Sequence, residues 1–112
     1  MIGTANPKAL AEFYEKIFEK PADMEEGGWY GWSVGNSYFT IGEHSEVHGQ
    51  AKEPARIMIN FETSRVEEEY NRIKAVEGAV VVKEPYEMGG GWVVTFADPD
   101  GNYFQLATPW KM

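Results

Sequence analysis

The chain contains no cysteine, so no disulfide, thiolate zinc site, iron–sulfur cluster or cysteine nucleophile can be built from it. Histidine is scarce too, with only two in 112 residues. Basic residues are outnumbered: 10 Lys and Arg face 18 Asp and Glu, for a formal net charge of −8. Nucleic-acid phosphates and anionic membrane surfaces both select for Lys and Arg, so neither is expected as a partner. No apolar run approaches the roughly 18 residues of a spanning helix. The first residues lack the basic and apolar regions of a secretory signal, and a cytoplasmic protein is expected. What the chain does have is aromatic residues: six Phe, six Tyr and four Trp. Core packing is their default use, and a share of them can line a pocket.

The hydrophobic pattern predicts a helix over 6–20. Asn6 suits the N-cap and Pro7 the first helical position, and Leu10, Phe13, Tyr14, Ile17 and Phe18 share one face. Pro21 is expected to stop it. Only a short strand, 2–5, fits before it. Residues 29–42 read as two strands around a Gly35-Asn36 turn, and 43–54 as a loop. From Arg56 to Phe61 the residues alternate, with Ile57, Ile59 and Phe61 on one face and Arg56, Met58 and Asn60 on the other. Ser64 with Glu67 predicts a capping box for a second helix, whose C-cap falls on Gly78. Strands are expected at 79–83, 92–97 and 102–108. Asp98-Pro99-Asp100-Gly101 forms the turn before the last one.

The two halves repeat weakly as β-α-β-β-β. Tyr14 and Ile17 return as Tyr70 and Ile73, Gly28-Trp29 as Gly91-Trp92, Gly35-Asn36 as Gly101-Asn102, and Phe39 and Ile41 as Phe104 and Leu106. The expected fold is α+β: a single domain over 1–112, with one module at about 1–50 and another at about 55–112. Two tandem βαβββ modules would form a curved mixed sheet around an open cleft, with a shortened first strand.

The run Phe96-x-Asp98-Pro99-Asp100-Gly101-Asn102-x-x-x-Leu106 resembles the closing hairpin of the vicinal oxygen chelate superfamily, the glyoxalase, bleomycin-resistance and dioxygenase group. The segment Ala11-Glu12-Phe13-Tyr14-Glu15-Lys16-Ile17-Phe18 resembles its first helix. The resemblance covers nearly the whole chain, and it implies a homodimer in which modules pair within one chain or swap between chains. The short first strand adds an edge that a second chain can cover.

Enzymes of that group hold a divalent metal with a His or Glu from the first strand of each module and a Glu from the last. Mapped onto this chain, the last-strand places fall on Gln105 and Thr40. The first-strand place of the second module falls on Arg56, and that of the first module falls before Met1. None carries a usual ligand, so no cofactor is expected, with a divalent metal on non-standard ligands as the alternative.

Other candidate sites are weaker. His44 and His48, with Glu43 and Glu46, lie in the predicted loop, either solvated or as a flap over the cleft. Glu67, Glu68 and Glu69 suit a solvated helix start. Asp98 and Asp100 are explained by turn chemistry. Arg56 suits either a ligand carboxylate or phosphate, or an ion pair with one of the many acids. Trp29, Tyr30, Trp32 and Trp92 would supply one or two aromatic walls. The expected ligand-binding cleft therefore consists of Thr40, Arg56, Met58, Asn60, Trp92 and Gln105. It would serve a protein that binds a small organic molecule, as the bleomycin-resistance branch does. The alternative is a metal-dependent lyase, isomerase or dioxygenase of the glyoxalase type.

Overall fold

The structure is a computed structural model that describes residues 1–109. The last three residues of the second module's expected span lie outside the described residues. Internal contacts divide the chain into two compact units, Met1–Gln50 and the residues from Ala51 onward.

The first unit runs β1 (Ile2–Thr4), α1 (Pro7–Phe18), β2 (Met24–Glu26), β3 (Trp29–Val34) and β4 (Ser37–Glu43). Its sheet has the order β1-β4-β3-β2. The β1–β4 pair is parallel and the others are antiparallel. Helix α1 starts as the sequence predicts: the Asn6 side chain accepts a hydrogen bond from the Ala9 N–H at 3.3 Å, and Pro7 follows. It ends earlier than Pro21. Glu19 turns left-handed at φ 59°, and its N–H donates to the Glu15 carbonyl, which closes the helix at Phe18.

Aromatic residues fill the space between α1 and its sheet. Tyr14 is fully buried, with its ring centroid 4.8 Å from Phe39 and 5.8 Å from Phe18. Trp32 is also buried, and its indole N–H donates to the Lys20 carbonyl at 3.1 Å. A buried ring of this size contributes roughly 2–3 kcal/mol. Much of the aromatic surplus is therefore core.

The second unit runs β5 (Met58–Glu62), α2 (Val66–Ile73), β6 (Val80–Met88), β7 (Gly91–Ala97) and β8 (Tyr103–Ala107). Its order, β5-β8-β7-β6, repeats the first, again with the leading strand parallel to the fourth. The chain thus consists of two tandem βαβββ modules, hydrogen-bonded as two mixed four-stranded sheets. Phe96 and Phe104 stack at 5.4 Å beneath α2, and both are fully buried.

Four local expectations are corrected. The strand starting at Arg56 begins instead at Met58, because Pro54–Arg56 form a short 3₁₀ turn; Ile57 is then 74% exposed rather than core. The Ser64–Glu67 capping box does not form. Arg65 is the N-cap residue, and its N–H donates to the Thr63 hydroxyl at 3.1 Å. Helix α2 stops at Ile73, and Gly78, at φ 95°, serves the following turn instead. Strand β6 runs on through Pro85 to Met88, with register shifts on either side of Lys83.

The Asp98 turn is as its chemistry demands. The buried Asp98 carboxylate accepts from the N–H groups of Asp100 and Asn102, both at 2.9 Å, and from the Asn102 side-chain amide. These bonds account for the carboxylate without any acid–base role.

Two outcomes follow from these packings. Phe104→Ala should cost about 3–5 kcal/mol in urea unfolding, the usual range for emptying a buried aromatic site. Asp23 links α1's exit to β3: its carboxylate accepts from the Ser33 N–H at 2.7 Å and from Lys20 Nζ at 3.2 Å. The Ser33 N–H first, and then Lys20, hold its pKa below the ordinary carboxylate value. A depressed native pKa stabilises above the unfolded value and loses that contribution as pH falls through the native one. Asp23→Asn should therefore lower the thermal midpoint at neutral pH, and the difference should vanish in acid.

Candidate functional site

Strand alternation sorts every site residue in the second unit. The face toward α2 carries Ile59, Phe61, Val94, Phe96, Phe104 and Leu106, and the Tyr70 ring meets Phe96 across it at 6.1 Å. The opposite face carries Met58, Asn60, Thr95 and Gln105. Asn60 and Gln105 are direct neighbours on β5 and β8, and Gln105 stands opposite Thr95 on β7. Gln105 Nε2 donates to Thr95 Oγ1 at 2.9 Å, which fixes the amide. Its carbonyl oxygen and second N–H remain for other partners.

Asn60, Gln105, Met88 and Trp92 line one pocket of about 400 Å³, floored by the Gly89–Gly91 hairpin end with Val93, Ala107, Thr108 and Pro109. That volume suits a small organic molecule. The hairpin is tight: Met88 pairs with Gly91 around Gly89 and Gly90, both at positive φ. Thr108 closes the other end, its hydroxyl accepting from the Trp92 N–H at 2.9 Å.

Three of the six residues expected in the cleft thus share this pocket: Asn60, Trp92 and Gln105. Met58 is on the same strand face, 42% exposed. Arg56 is not on a strand. Its guanidinium is exposed and donates to Glu53 at 2.6 Å, which is the ion-pair reading of this residue. Thr40 belongs to the first unit, half-buried on β4 opposite Gly31. Two aromatic rings share its sheet face. Tyr38 lies over Gly31 and Trp29 over Gly42, so closely that a Cβ on Gly42 would sit 2.6 Å from the indole.

Trp92 reaches the pocket from an unexpected side. The turn geometry aligns Trp29 with Gly91 and Tyr30 with Trp92, because Glu26↔Trp29 and Met88↔Gly91 are the pairs that close their hairpins. The match of Gly28-Trp29 to Gly91-Trp92 is one residue out of register, and such a slip exchanges the faces. Trp92 therefore lies on the α2 face, 49% exposed, and borders the amide pocket at its edge. Thr95 was not among the sequence candidates. The signal for it is arithmetic: a turn centred on Pro99-Asp100-Gly101 pairs residue 95 with 105.

The donors at the metal places do not suit a divalent cation. A guanidinium offers no lone pair, and a threonine hydroxyl and a neutral amide are weak substitutes for imidazole and carboxylate. Among the described residues, no three His, Asp or Glu side chains converge as a metal group would require. His44 Nδ1 accepts from the Glu46 N–H at 3.1 Å, and with His48 it lines a separate surface hollow beside Glu43.

Comparison with known proteins agrees with this architecture. The family model of the glyoxalase-like domain matches residues 1–107, so the chain belongs to the glyoxalase-like domain family, within the vicinal oxygen chelate superfamily. Similar solved structures include a glyoxalase/bleomycin resistance protein from Albidiferax ferrireducens T118, with TM-score 0.78, 16% identity, and 97% of this chain and 95% of that one covered. Hypothetical protein SA1046 from S. aureus gives TM-score 0.77 at 21% identity, covering 96% and 89%. Fosfomycin resistance protein FosX from Mesorhizobium loti gives 0.72 at 16%, covering 97% and 87%. At these identities the likeness is one of fold. No curated protein matches the chain in sequence. No helix of the described residues is long and apolar enough to cross a membrane.

Thr95→Val removes the acceptor that holds Gln105 while conserving shape. Its expected cost is about 1 kcal/mol of stability, the net worth of one hydrogen bond. The Gln105 side-chain amide resonances should move in an NMR spectrum while those of the first unit stay in place.

Proposed function

We propose that this chain is a metal-free small-molecule binding protein of the glyoxalase and bleomycin-resistance superfamily, with Asn60 and Gln105 as its recognition pair. The observation that supports this is the pocket in which two neutral amides stand side by side next to Met88 and Trp92. Amides donate and accept without charge, and Met88 offers apolar surface. Together they favour a small, uncharged organic molecule with a polar edge and an apolar body. Met58 extends the apolar side. A homodimer belongs to the same proposal, because β1 has three residues and leaves the edge of its sheet short of partners.

Titration of neutral aromatic and heterocyclic amides, followed by tryptophan fluorescence, tests the reading. Saturable quenching is expected, and Gln105→Leu should weaken it about tenfold, near 1.4 kcal/mol. No saturable response across the panel would count against the pocket. Stoichiometric Ni, Zn, Fe or Mn in protein purified without chelator would count against the metal-free reading, and would favour the lyase, isomerase or dioxygenase alternative.

A further inference from the structure

A second groove in the same unit lies on the opposite side of its sheet, between α2 and the outer strands. It measures about 590 Å³, and its walls include Trp92, Tyr70, Pro85, Glu67, Glu68 and Arg65. The charges along α2 do not cancel. Arg65 Nη1 lies 3.6 Å from Glu68, and Arg72 Nε donates to Glu69 at 2.8 Å. Glu67 is left with no ion-pair or hydrogen-bond partner among the described residues. Glu87 stands opposite Trp92 on β6 and adds a further carboxylate at that edge. Arg65 is the only cation in the lining, and Glu68 already answers it. The Tyr70 ring has Lys74 Nζ at 4.8 Å from its centroid, while the half-exposed indole of Trp92 has no such cation among the described residues.

The first unit provides an internal comparison. Its equivalent groove, between α1 and the outer strands, holds Lys8, Ala11, Glu12, Glu15 and Tyr30, and measures about 240 Å³. Tyr30 takes the place of Trp92, each standing opposite a glutamate, Glu25 or Glu87. Ala11 takes the place of Glu67, since Tyr14 repeats as Tyr70. The βαβββ architecture therefore makes a groove of this kind in either unit. Trp32 and the carboxylates of Glu12, Glu15 and Glu25 also line the first groove, but that indole is buried; the second unit presents a half-exposed indole and more than twice the volume.

We infer that this groove is a second binding site, for an alkylated ammonium cation. The π face of Trp92 attracts a cation electrostatically, the better for a soft, weakly hydrated one. Glu67 supplies the opposite charge, and the acidic protein draws cations at long range. The Trp92 indole reports on this groove, while Asn60 and Gln105 report on the amide pocket across the sheet.

The test uses choline and its uncharged carbon isostere, 3,3-dimethylbutan-1-ol, titrated into the full chain and followed by amide and indole NMR. Saturable shifts are expected with choline at the Trp92 indole and at 65–71, and none with the alcohol. Glu67→Gln, on an exposed helical position, should keep the spectrum of the folded protein and weaken choline about fivefold, the scale of a single exposed charge contact. The Glu12 and Tyr30 amides of the first unit should stay still. Equal shifts from both probes, no shift with choline, or no effect of Glu67→Gln would each overturn the inference. Shifts at Asn60 and Gln105 report the amide pocket separately, so failure there is distinguishable from failure here.

Discussion

Each of the two sheets has two faces, and each unit has one helix to cover one of them. That constraint governs everything else in the molecule. Under the helices the alternation places Phe39 and Trp32 in one unit, with Phe39 against Tyr14 of α1, and Phe96 and Phe104 in the other, all removed from water except Phe39, which is half-buried. On the opposite faces the same alternation leaves Thr40 beside Tyr38 and Trp29, and Asn60 beside Gln105. Residues of the first kind hold the fold. Those of the second are available for chemistry because the core does not consume them.

The pairing of Gln105 with Thr95 shows how the scaffold and the site are joined. Asp98 staples the turn between β7 and β8, and the turn sets the register. Register brings a threonine hydroxyl opposite the glutamine amide at 2.9 Å. A buried carboxylate outside the pocket lining thereby determines which groups face the pocket. In a sheet, position is inherited along the strand, so one turn residue can act as a positioning residue for another several rungs away.

Much of the fold was legible in the sequence because its signals were local. Asn6-Pro7 and an apolar stripe define α1, Gly35-Asn36 defines a hairpin, and Asp98 to Asn102 defines another. Strand β2 is not separately visible: Met24–Glu26 is three residues long, two of them charged, and exists because Gly27 and Gly28 turn it onto β3. The start of β5 was misplaced because alternation continues through Arg56 and Ile57 while Pro54 bends the backbone. Of the candidate site, the sequence offers Asn60 and Gln105 as cleft residues, and the structure makes them neighbours on β5 and β8. The face of Trp92 is not legible, because Gly28 lies within its turn whereas Gly91 opens its strand, a one-residue offset that the shared Gly-Trp pair conceals.

Strand β6 is the longest in the chain and lies at the edge of its sheet, with Val80, Val82 and Met88 exposed. A flat apolar edge of nine residues would be an open template for another strand, and so for fibrillar aggregation. Two interruptions in register around Lys83 break its row of donors and acceptors, and Pro85 removes one donor outright. The irregularity that makes this strand hard to read is also what keeps it from growing. Exposed apolar side chains beside a sheet edge are tolerable only where that edge refuses to propagate.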